Sequence, residues 1–499
     1  MLAASFLYLA IANLIWIARD TRPPYWDSAG HATSALQIAD AFHNTGIRAV
    51  TRVPFLTGAY PPAYHTIVAL FYRIGGRTID AAQWANLPAM ALLLVATYGI
   101  GKTVLKPIAA AAAAVTASFY PMMLWLSHET MIDYWLTAFV AFAIWVLLET
   151  KEFSKRHWSV LFGIACGMGM LTKWTFLFFV GPPAFWFATK NFKNAALAAV
   201  IAASMAAYWY IPAAGSLSNL LKFNTAQSVF EGDPDRFSLE ALVFYVRALE
   251  GSQLFLPLFV AFIVGFALLL ANFERRWTPV VLWIAGGWLG LLLFQNKDPR
   301  YTSPLLPAVA LVTGMVFQRK KFLIGILIPV LVFQHYLVSF GIPRLPAAMI
   351  LAKGGNGTIS YDWNVYTQHY FGWGPPARED WEIEHVLEAV TTTGGALVHL
   401  GLVPDIPRFD TLAFRFYITL RRLPVTIDRL VIPTQEAIRD NDYILAPEGP
   451  LKLEPGAYFP PALLDITNYI AQHPETFLLM ERFVLPNGDT IRLYKVARS

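Results

Sequence analysis

Long runs of apolar residues follow one another from the start of the chain to residue 341, whereas residues 342–499 mix apolar and polar positions as soluble domains do. A helix that spans a bilayer needs about 20 mostly apolar residues. The pattern predicts a polytopic α-helical membrane protein with about eleven spanning helices, followed by a soluble domain. The predicted spans are residues 2–18, 84–104, 107–126, 131–149, 158–173, 174–189, 193–213, 252–271, 277–295, 301–317 and 322–341.

Lysine and arginine occur in every second connection between these spans, which is the pattern that cytoplasmic loops follow. The alternation predicts that the N-terminus is cytoplasmic and that residues 342–499 lie outside. No small-residue cleavage site follows the first run, so we interpret it as a retained helix rather than a signal peptide. The basic residues are Lys102, Lys106, Lys151, Lys155, Arg156, Lys190, Lys193, Arg275, Arg276, Arg319, Lys320 and Lys321.

Two outer loops are long enough to carry structure of their own. The first, residues 19–83, contains two segments that we interpret as interfacial helices. Residues 28–44 are amphipathic, and residues 62–72 follow a double proline and are too short to span. The second outer loop, residues 214–251, has a Gly/Pro turn followed by an amphipathic helix able to cover a site.

The tail alternates strand-like and helix-like segments, which predicts a small extracytoplasmic α/β domain. An Asn-Gly pair at 487–488 predicts a closing hairpin over residues 482–496. We find no glycine-rich phosphate loop and no metal-ligand spacing in the tail sequence. The predicted strands are residues 395–403, 425–432 and 442–447, and the predicted helices are residues 382–392, 411–422 and 461–472.

The composition supports the membrane assignment and excludes some functions. The chain is 56% hydrophobic and 14% charged, against about 25% charged residues in soluble proteins. The net charge of +5 comes from scattered basic residues without a basic stripe, which argues against a nucleic-acid partner. Cys166 is the only cysteine, so the chain has no intrachain disulfide.

Charged residues collect at the predicted outer face. The outer loops hold three acids and, against the usual charge distribution, three cations. Neither a nucleotide sugar nor ATP is available there, so an activated group for transfer has to arrive on a membrane carrier, typically a polyprenyl phosphate. A phosphate leaves without protonation, and the reaction then needs one carboxylate base and fixed cations. The six residues are Asp27, Glu129, Asp133, Lys173, Lys297 and Arg300.

Five of these six residues also have a purely structural interpretation. Asp27 could cap the helix that follows it. Glu129 and Asp133, four positions apart, are expected on one face of a helix start, where Thr130 and Asp133 resemble a capping box. Lys173 could extend to the membrane interface, and Arg300 could pair with Asp298 in its own turn.

Five segments resemble the C-type membrane glycosyltransferases, and within them the bacterial dolichyl-phosphate-mannose protein mannosyltransferase-like group, which includes the lipid A aminoarabinose transferase. The resemblance covers residues 1–341 and depends on the order of the segments. Where many relatives carry two acids in the first loop, Asp27 is followed by Ser28 and Ala29. The segments are YWDSAGH (25–31), YPPAYH (60–65), ETMIDYWLTAFVAFAIW (129–145), GIACGMGMLTKWTF (163–176) and NKDPRYTSPLLPAVALVTG (296–314).

The resemblance implies an inverting sugar transfer from a polyprenyl-phosphate donor to a protein, lipid or glycan acceptor. Asp27 would be the base, with Glu129 or Asp133 assisting, and Lys173, Lys297 and Arg300 would bind the donor phosphate. His31, Tyr60 and Tyr64 would support the site. No resident metal is predicted, and whether a divalent cation assists stays open. The implied location is the bacterial plasma membrane, with the site facing outward.

Two other classes of protein stay open at this stage. A transporter or flippase would place charged residues at the membrane midplane in repeated, broken helices, and the sequence shows neither feature. A non-catalytic scaffold with an outer sensor domain would not need acids and cations clustered at one face. Movement of a labelled sugar from a polyprenyl phosphate to an acceptor distinguishes both from a transferase.

Overall fold

The fold is given by a computed structural model of the full chain. Parts of the second outer loop and of the tail lie outside the residues that it describes, and with them part of the predicted segments 214–251, 425–432 and 461–472. The described residues are 1–215, 218–219, 222, 225, 228, 232–254, 256–341, 348–354, 357–362, 375–391, 396–430, 438–452 and 462–497.

Helices dominate the described residues up to 341, and each of the eleven predicted spans overlaps at least one of them. The helices are α1 (Leu2–Arg19), α2 (Trp26–Thr45), α3 (Ala63–Gly75), α4 (Ile79–Trp84), α5 (Asn86–Val104), α6 (Pro107–Ser118), α7 (Pro121–His128), α8 (Ile132–Glu149), α9 (Arg156–Met170), α10 (Phe176–Ala188), α11 (Phe192–Tyr210), α12 (Leu239–Ala248), α13 (Leu256–Ala271), α14 (Thr278–Leu292), α15 (Leu306–Arg319) and α16 (Leu323–Phe340).

By length and composition, five helices of the described chain can cross a membrane, and a sixth follows if α6 and α7, bent by 55° at a short break, count as one span. Helices α10 and α13 are apolar but shorter. The predicted number of eleven spans therefore stays a prediction. The five are Leu2–Arg19, Ile79–Val104, Ile132–Glu149, Pro299–Arg319 and Leu323–Phe340.

Small residues let the apolar helices approach closely. A Cβ atom on Gly163 of α9 would lie 2.6 Å from the carbonyl oxygen of Ala198 in α11, and one on Gly265 of α13 would lie 2.4 Å from that of Val312 in α15. Backbones in such contact gain dispersion energy without bulky side chains between them, as is typical of membrane helix pairs. The glycine pattern of residues 163–169 therefore serves packing.

The two predicted interfacial helices are present as α2 and α3. Helix α3 leaves Leu70 and Ile74 exposed, 55% and 72%, which suits a helix with an apolar face turned to lipid. Helix α2 instead buries half of its 20 residues. It packs against α3 and against a helix of the tail, Thr411–Arg421.

The tail has the predicted α/β organisation. The elements are β1 (Ala348–Gly354), β2 (Gly357–Asp362), α17 (Ile383–Thr391), β3 (Val398–Leu402), α18 (Thr411–Arg421), β4 (Val425–Arg429), β5 (Tyr443–Pro447), α19 (Ala462–Gln472), β6 (Phe477–Val484) and β7 (Thr490–Val496). The five-stranded sheet has the order β4-β3-β5-β7-β6, with β3, β4 and β5 parallel and β7 antiparallel to both β5 and β6. The hairpin turns at Gly488, which has φ +82°.

Candidate active site

A cavity of about 220 Å³ lies where the first outer loop meets the starts of α8 and α10 and the segment after α14. Six of the nine predicted site residues line it. The described lining contains two carboxylates and three cations, which are Lys173, Arg236 and Arg300, so it carries one positive charge in excess. The six are Asp27, His31, Tyr60, Asp133, Lys173 and Arg300.

Asp27 occupies the first turn of α2, and its side chain is 45% exposed. The helix begins at Trp26, with Tyr25 at the capping position and no side-chain capping bond. The structural interpretation of Asp27 as a cap is therefore wrong. Its carboxylate faces the cavity, where the helix N-terminus favours a negative charge.

Arg300 belongs to a short 3₁₀ segment, Pro299–Leu305, that Asp298 caps through the backbone N–H of Arg300 at 2.7 Å. The guanidinium donates to Asp298 Oδ2 from Nε at 2.8 Å and from Nη2 at 2.6 Å. Both Nη atoms lie 3.4 Å from Asp27 Oδ2. The predicted pairing with Asp298 is confirmed, and it aims Arg300 at Asp27.

Asp133 and Lys173 form a second ion pair at the cavity wall. Lys173 Nζ donates to Asp133 Oδ1 at 2.8 Å, and the two side chains are 9% and 3% exposed, respectively. The same ammonium lies 4.7 Å from the centroid of the Tyr301 ring. Because both side chains are buried, each charge depends on the other as its partner. The ammonium of Lys173 therefore points to Asp133 and does not extend to the membrane interface.

His31 and Tyr60 form the neutral part of the wall. Burial, and then the charges of Lys173 and Arg300, lower the pKa of His31 to about 3, so its imidazole is neutral near pH 7. Its Nδ1 pairs with His65 Nε2 at 3.0 Å. The negative charge of Asp27, together with burial, raises the pKa of Tyr60, whose hydroxyl therefore stays protonated.

The structure does not bring Glu129, Lys297 or Tyr64 into the lining. Glu129 follows α7 in an extended conformation and accepts a hydrogen bond from Ser28 Oγ at 3.1 Å. Burial raises its pKa. The expectation that Glu129 and Asp133 share a helical face is wrong, because α8 begins only at Ile132. No capping box forms there, since Met131 occupies the capping position without a side-chain bond.

Lys297 and Tyr64 are held elsewhere. Lys297 Nζ donates to the carbonyl oxygens of Leu291, at 3.1 Å, and Phe294. Burial lowers its pKa to about 8. Tyr64 is fully buried. Neither side chain lines the cavity.

Residues that the sequence did not single out complete the site. Arg236, from the turn of the second outer loop, and Asn296, four positions after the end of α14, line the cavity. Their sequence signal was their place in outer loops beside charged neighbours. From the tail, Arg408 and Asp410 contact the segment that precedes Asp27.

One group of side chains in the described part of the chain has the spacing of a metal site. The ligand atoms of Asp380, Glu382 and His385 lie within 4.8 Å of one another. The group is largely exposed and does not line the cavity. Exposed acidic groups of this kind are common without a metal, so we assign it no role.

Solved structures of membrane glycosyltransferases share this fold over nearly the whole chain. ArnT from Cupriavidus metallidurans, in the apo state and bound to undecaprenyl phosphate, aligns with TM-scores of 0.60 and 0.61, 12% identity, and coverage of 98% of this chain and 97% of ArnT. Arabinofuranosyltransferase AftD from Mycobacteria gives a TM-score of 0.55 at 13% identity, covering 100% of this chain and 40% of AftD.

The oligosaccharyltransferase of Archaeoglobus fulgidus, tethered to an acceptor peptide, gives a TM-score of 0.54 at 10% identity, covering 100% of this chain and 74% of its own. At these identities the likeness shows the fold, which is that of the C-type membrane glycosyltransferases. Residues 59–214 also match the family described as dolichyl-phosphate-mannose-protein mannosyltransferase. By sequence, no curated protein matches the chain. The chain therefore has the fold of the C-type membrane glycosyltransferases, and its residues 59–214 are similar to one family of mannosyltransferases.

Proposed function

We propose that the protein transfers a sugar from a polyprenyl-phosphate donor to an acceptor hydroxyl, at the outer face of a bacterial plasma membrane, with inversion at the anomeric carbon. Asp27 is the general base. The observation that carries this proposal is the state of Asp27. Of the two carboxylates in the described lining it is the accessible one, whereas Asp133 is buried in an ion pair with Lys173.

The contacts of Asp27 suit a base. Arg300 holds Asp298 at 2.6 Å and reaches Asp27 only at 3.4 Å. The long contact with Arg300 thus orients the carboxylate of Asp27 and leaves it able to accept a proton. His31 competes poorly for a proton, because burial keeps it neutral and its Nδ1 is engaged by His65. A general base must first lie within hydrogen-bond reach of the proton that it removes, and its pKa matters second.

The proposed step moves one proton and exchanges one bond. The acceptor hydroxyl gives its proton to Asp27 as its oxygen attacks the anomeric carbon. The bond between that carbon and the phosphate oxygen breaks, and its electron pair leaves with the phosphate. Attack from the side opposite the phosphate inverts the anomeric centre.

Arg300 and Lys173 are the proposed partners of the departing phosphate. Each is fixed by a carboxylate of its own, Asp298 and Asp133, so neither has to reorganise when negative charge develops. Undecaprenyl phosphate bound to ArnT, a protein of the same fold, supports a donor of this chemistry. Lys297 is the weakest of the three predicted phosphate ligands, because its ammonium already donates to backbone carbonyls.

The acceptor class is left to experiment. Purified protein in nanodiscs is incubated with a panel of undecaprenyl-phosphate-linked sugars and with peptide, lipid A and glycan acceptors. Release of undecaprenyl phosphate that depends on one acceptor, and that Asp27→Asn abolishes, supports the proposal. Asp428→Asn, an exposed change in the tail, is the matched control. Movement of intact donor between leaflets without cleavage would instead make the protein a flippase.

A further inference from the structure

The tail contacts the first outer loop directly before Asp27. The backbone N–H of Trp26 donates to Asp410 Oδ2 at 3.2 Å. The other oxygen of the same carboxylate accepts from the N–H groups of Leu412, at 2.9 Å, and Ala413, at 3.0 Å. Asp410 therefore caps α18 with one oxygen and holds the start of α2 with the other.

Arg408 makes the second contact with this segment. Its Nη1 donates to the carbonyl oxygen of Pro23 at 3.1 Å, and its guanidinium lies 5.0 Å from the centroid of the Tyr25 ring. Arg408 and Asp410 are both buried, with 8% and 0% exposure. Burying charged groups is costly unless specific partners compensate. Here the partners are the residues that lead into Asp27.

The backbone at this junction is strained on both sides. Trp26 has φ +41° and Arg408 has φ +70°, values that non-glycine residues rarely adopt. Such conformations persist where surrounding contacts over-determine them, and they cluster at functional sites. Since Trp26 precedes Asp27, its conformation sets the direction in which the first turn of α2 presents the carboxylate.

The tail also contacts the first outer loop at its start and near the end of α2. Ala377 N–H donates to Asp20 Oδ1, and Thr21 N–H donates to the Ala377 carbonyl, both at 2.9 Å. Beyond the middle of α2, Arg422 donates to Asp40 at 2.8 Å. Both halves of α2 are thus tied to the tail, and α18 packs along the helix between these ties.

We propose that Arg408 and Asp410 are positioning residues for the transfer: they fix residues 23–26 so that Asp27 faces the reacting hydroxyl. The soluble domain therefore supplies part of the active-site geometry from outside the membrane. This inference rests on the proposed function of Asp27 as the base. It assigns no substrate contact to the domain residues themselves.

Asp410→Asn separates the two roles of this side chain. The amide oxygen of asparagine can still accept from Leu412 and Ala413, so the cap of α18 is kept. The NH₂ group cannot accept from the N–H of Trp26, so the tie to the loop is lost. Asp428→Asn, in the same domain and 74% exposed, is the control. Arg408→Gln is the second variant, and it leaves the cap of α18 untouched.

Three measurements are made on each full-length variant in nanodiscs. Turnover is measured with the undecaprenyl-phosphate-linked sugar that the parental protein uses. The Kd is measured with undecaprenyl phosphate as the probe, and hydrogen–deuterium exchange is followed over residues 20–30. We expect kcat to fall about tenfold or more, since small misplacements of a reacting group are costly. The Kd should match the control, the Tm should not fall below that of the control, and the Trp26 amide should exchange faster.

Other results overturn the inference. Parental kcat in both variants, or unchanged exchange at Trp26, excludes positioning. A kcat loss that parallels a fall in Tm in both variants shows a structural role only. Asp27→Asn distinguishes the two proposals. If it retains activity, the proposed base is wrong; if it is inactive while Asp410→Asn and Arg408→Gln turn over normally, only the positioning role fails.

Discussion

The guanidinium of Arg300 lies 2.6 Å from the carboxylate of Asp298 and 3.4 Å from that of Asp27. The short bond anchors the arginine within its own 3₁₀ turn, and the long contact orients the aspartate that faces the cavity. The guanidinium thus makes a strong ion pair with Asp298 and a weaker one with Asp27. This inequality separates an acid with a structural role from an acid that is available for chemistry.

Asp27→Asn should abolish most of the turnover. The amide keeps the size and polarity of the side chain but cannot take a proton, and a general base contributes typically about 10²–10⁴-fold. We expect kcat to fall by that factor while the Kd for undecaprenyl phosphate and the Tm stay near the parental values. Steady-state kinetics and thermal unfolding of purified protein test this. Near-parental turnover would show that Asp27 is not the general base, and Asp133 would then be tested.

Arg300→Ala should weaken donor binding and slow transfer together. The expected loss in transition-state stabilisation is about 2–4 kcal/mol, as for removal of one preorganised charged group. Arg300→Lys should recover only part of it, because a point charge replaces the planar fork. Titration with undecaprenyl phosphate and single-turnover kinetics measure the two effects.

The control for this change addresses the acid left behind. Removing Arg300 leaves Asp298 without its partner, and that alone destabilises the protein. Arg300→Ala combined with Asp298→Asn removes the unpaired charge. If the double variant regains stability but not donor affinity, Arg300 binds the donor. If it regains both, the cation has a structural role only.

Lys173→Met should lower stability by about 3–5 kcal/mol, because it leaves the buried Asp133 unpaired. Lys173→Met combined with Asp133→Asn should restore most of the lost stability while donor affinity stays low. Thermal unfolding and undecaprenyl phosphate binding, measured side by side, separate the two contributions. Full recovery of binding in the double variant would contradict a role of Lys173 at the phosphate.

Stability should depend on pH through Asp410. Burial, and then the charge of Asp405, raise the pKa of Asp410 to about 7, against about 3.9 in an unfolded chain. Between these values the folded protein holds a proton that the unfolded chain has released, so stability falls as pH rises from about 4 to about 7. Asp410→Asn should flatten this slope in thermal unfolding. An unchanged slope would assign it to other groups.

Residues 342–499 are predicted to lie outside, on the side of Asp27. Glu475 is exposed in the turn before β6, and Glu475→Cys in a Cys166→Ser background provides a single reporter thiol. A membrane-impermeant maleimide should label it in intact spheroplasts as well as after lysis. Labelling only after lysis would reverse the orientation and remove the argument for a lipid-linked donor.

Periodicity predicted most elements of this chain because burial in a bilayer or a sheet imposes a local pattern. The eleven apolar runs overlap helices, and the Asn-Gly turn forms the hairpin between β6 and β7. Local reasoning failed where a helix boundary mattered. Glu129 and Asp133 share a face only if one helix contains both, and the break at residues 129–131 turns Glu129 away toward Ser28.

The contacts between the tail and the first outer loop could not be predicted from the sequence. Arg408 and Asp410 lie in a turn between β3 and α18, and nothing in their local pattern indicates a partner in the first loop. A strained residue such as Trp26 carries no compositional signal either, since its conformation is imposed by contacts that form only in three dimensions. Asp27, Asp133 and two of the three cavity cations, Lys173 and Arg300, were predictable because charge at a membrane edge is unusual.

The hydrogen bond between Trp26 and Asp410 joins positions 384 residues apart. During biosynthesis the first loop leaves the ribosome long before its tether does, and it stays without this bond until the tail has been translated and folded. The geometry proposed for Asp27 is thus completed last. A chain arrested partway through synthesis, with its helices already in the bilayer, would therefore be inactive, because it lacks the bond that positions the start of α2.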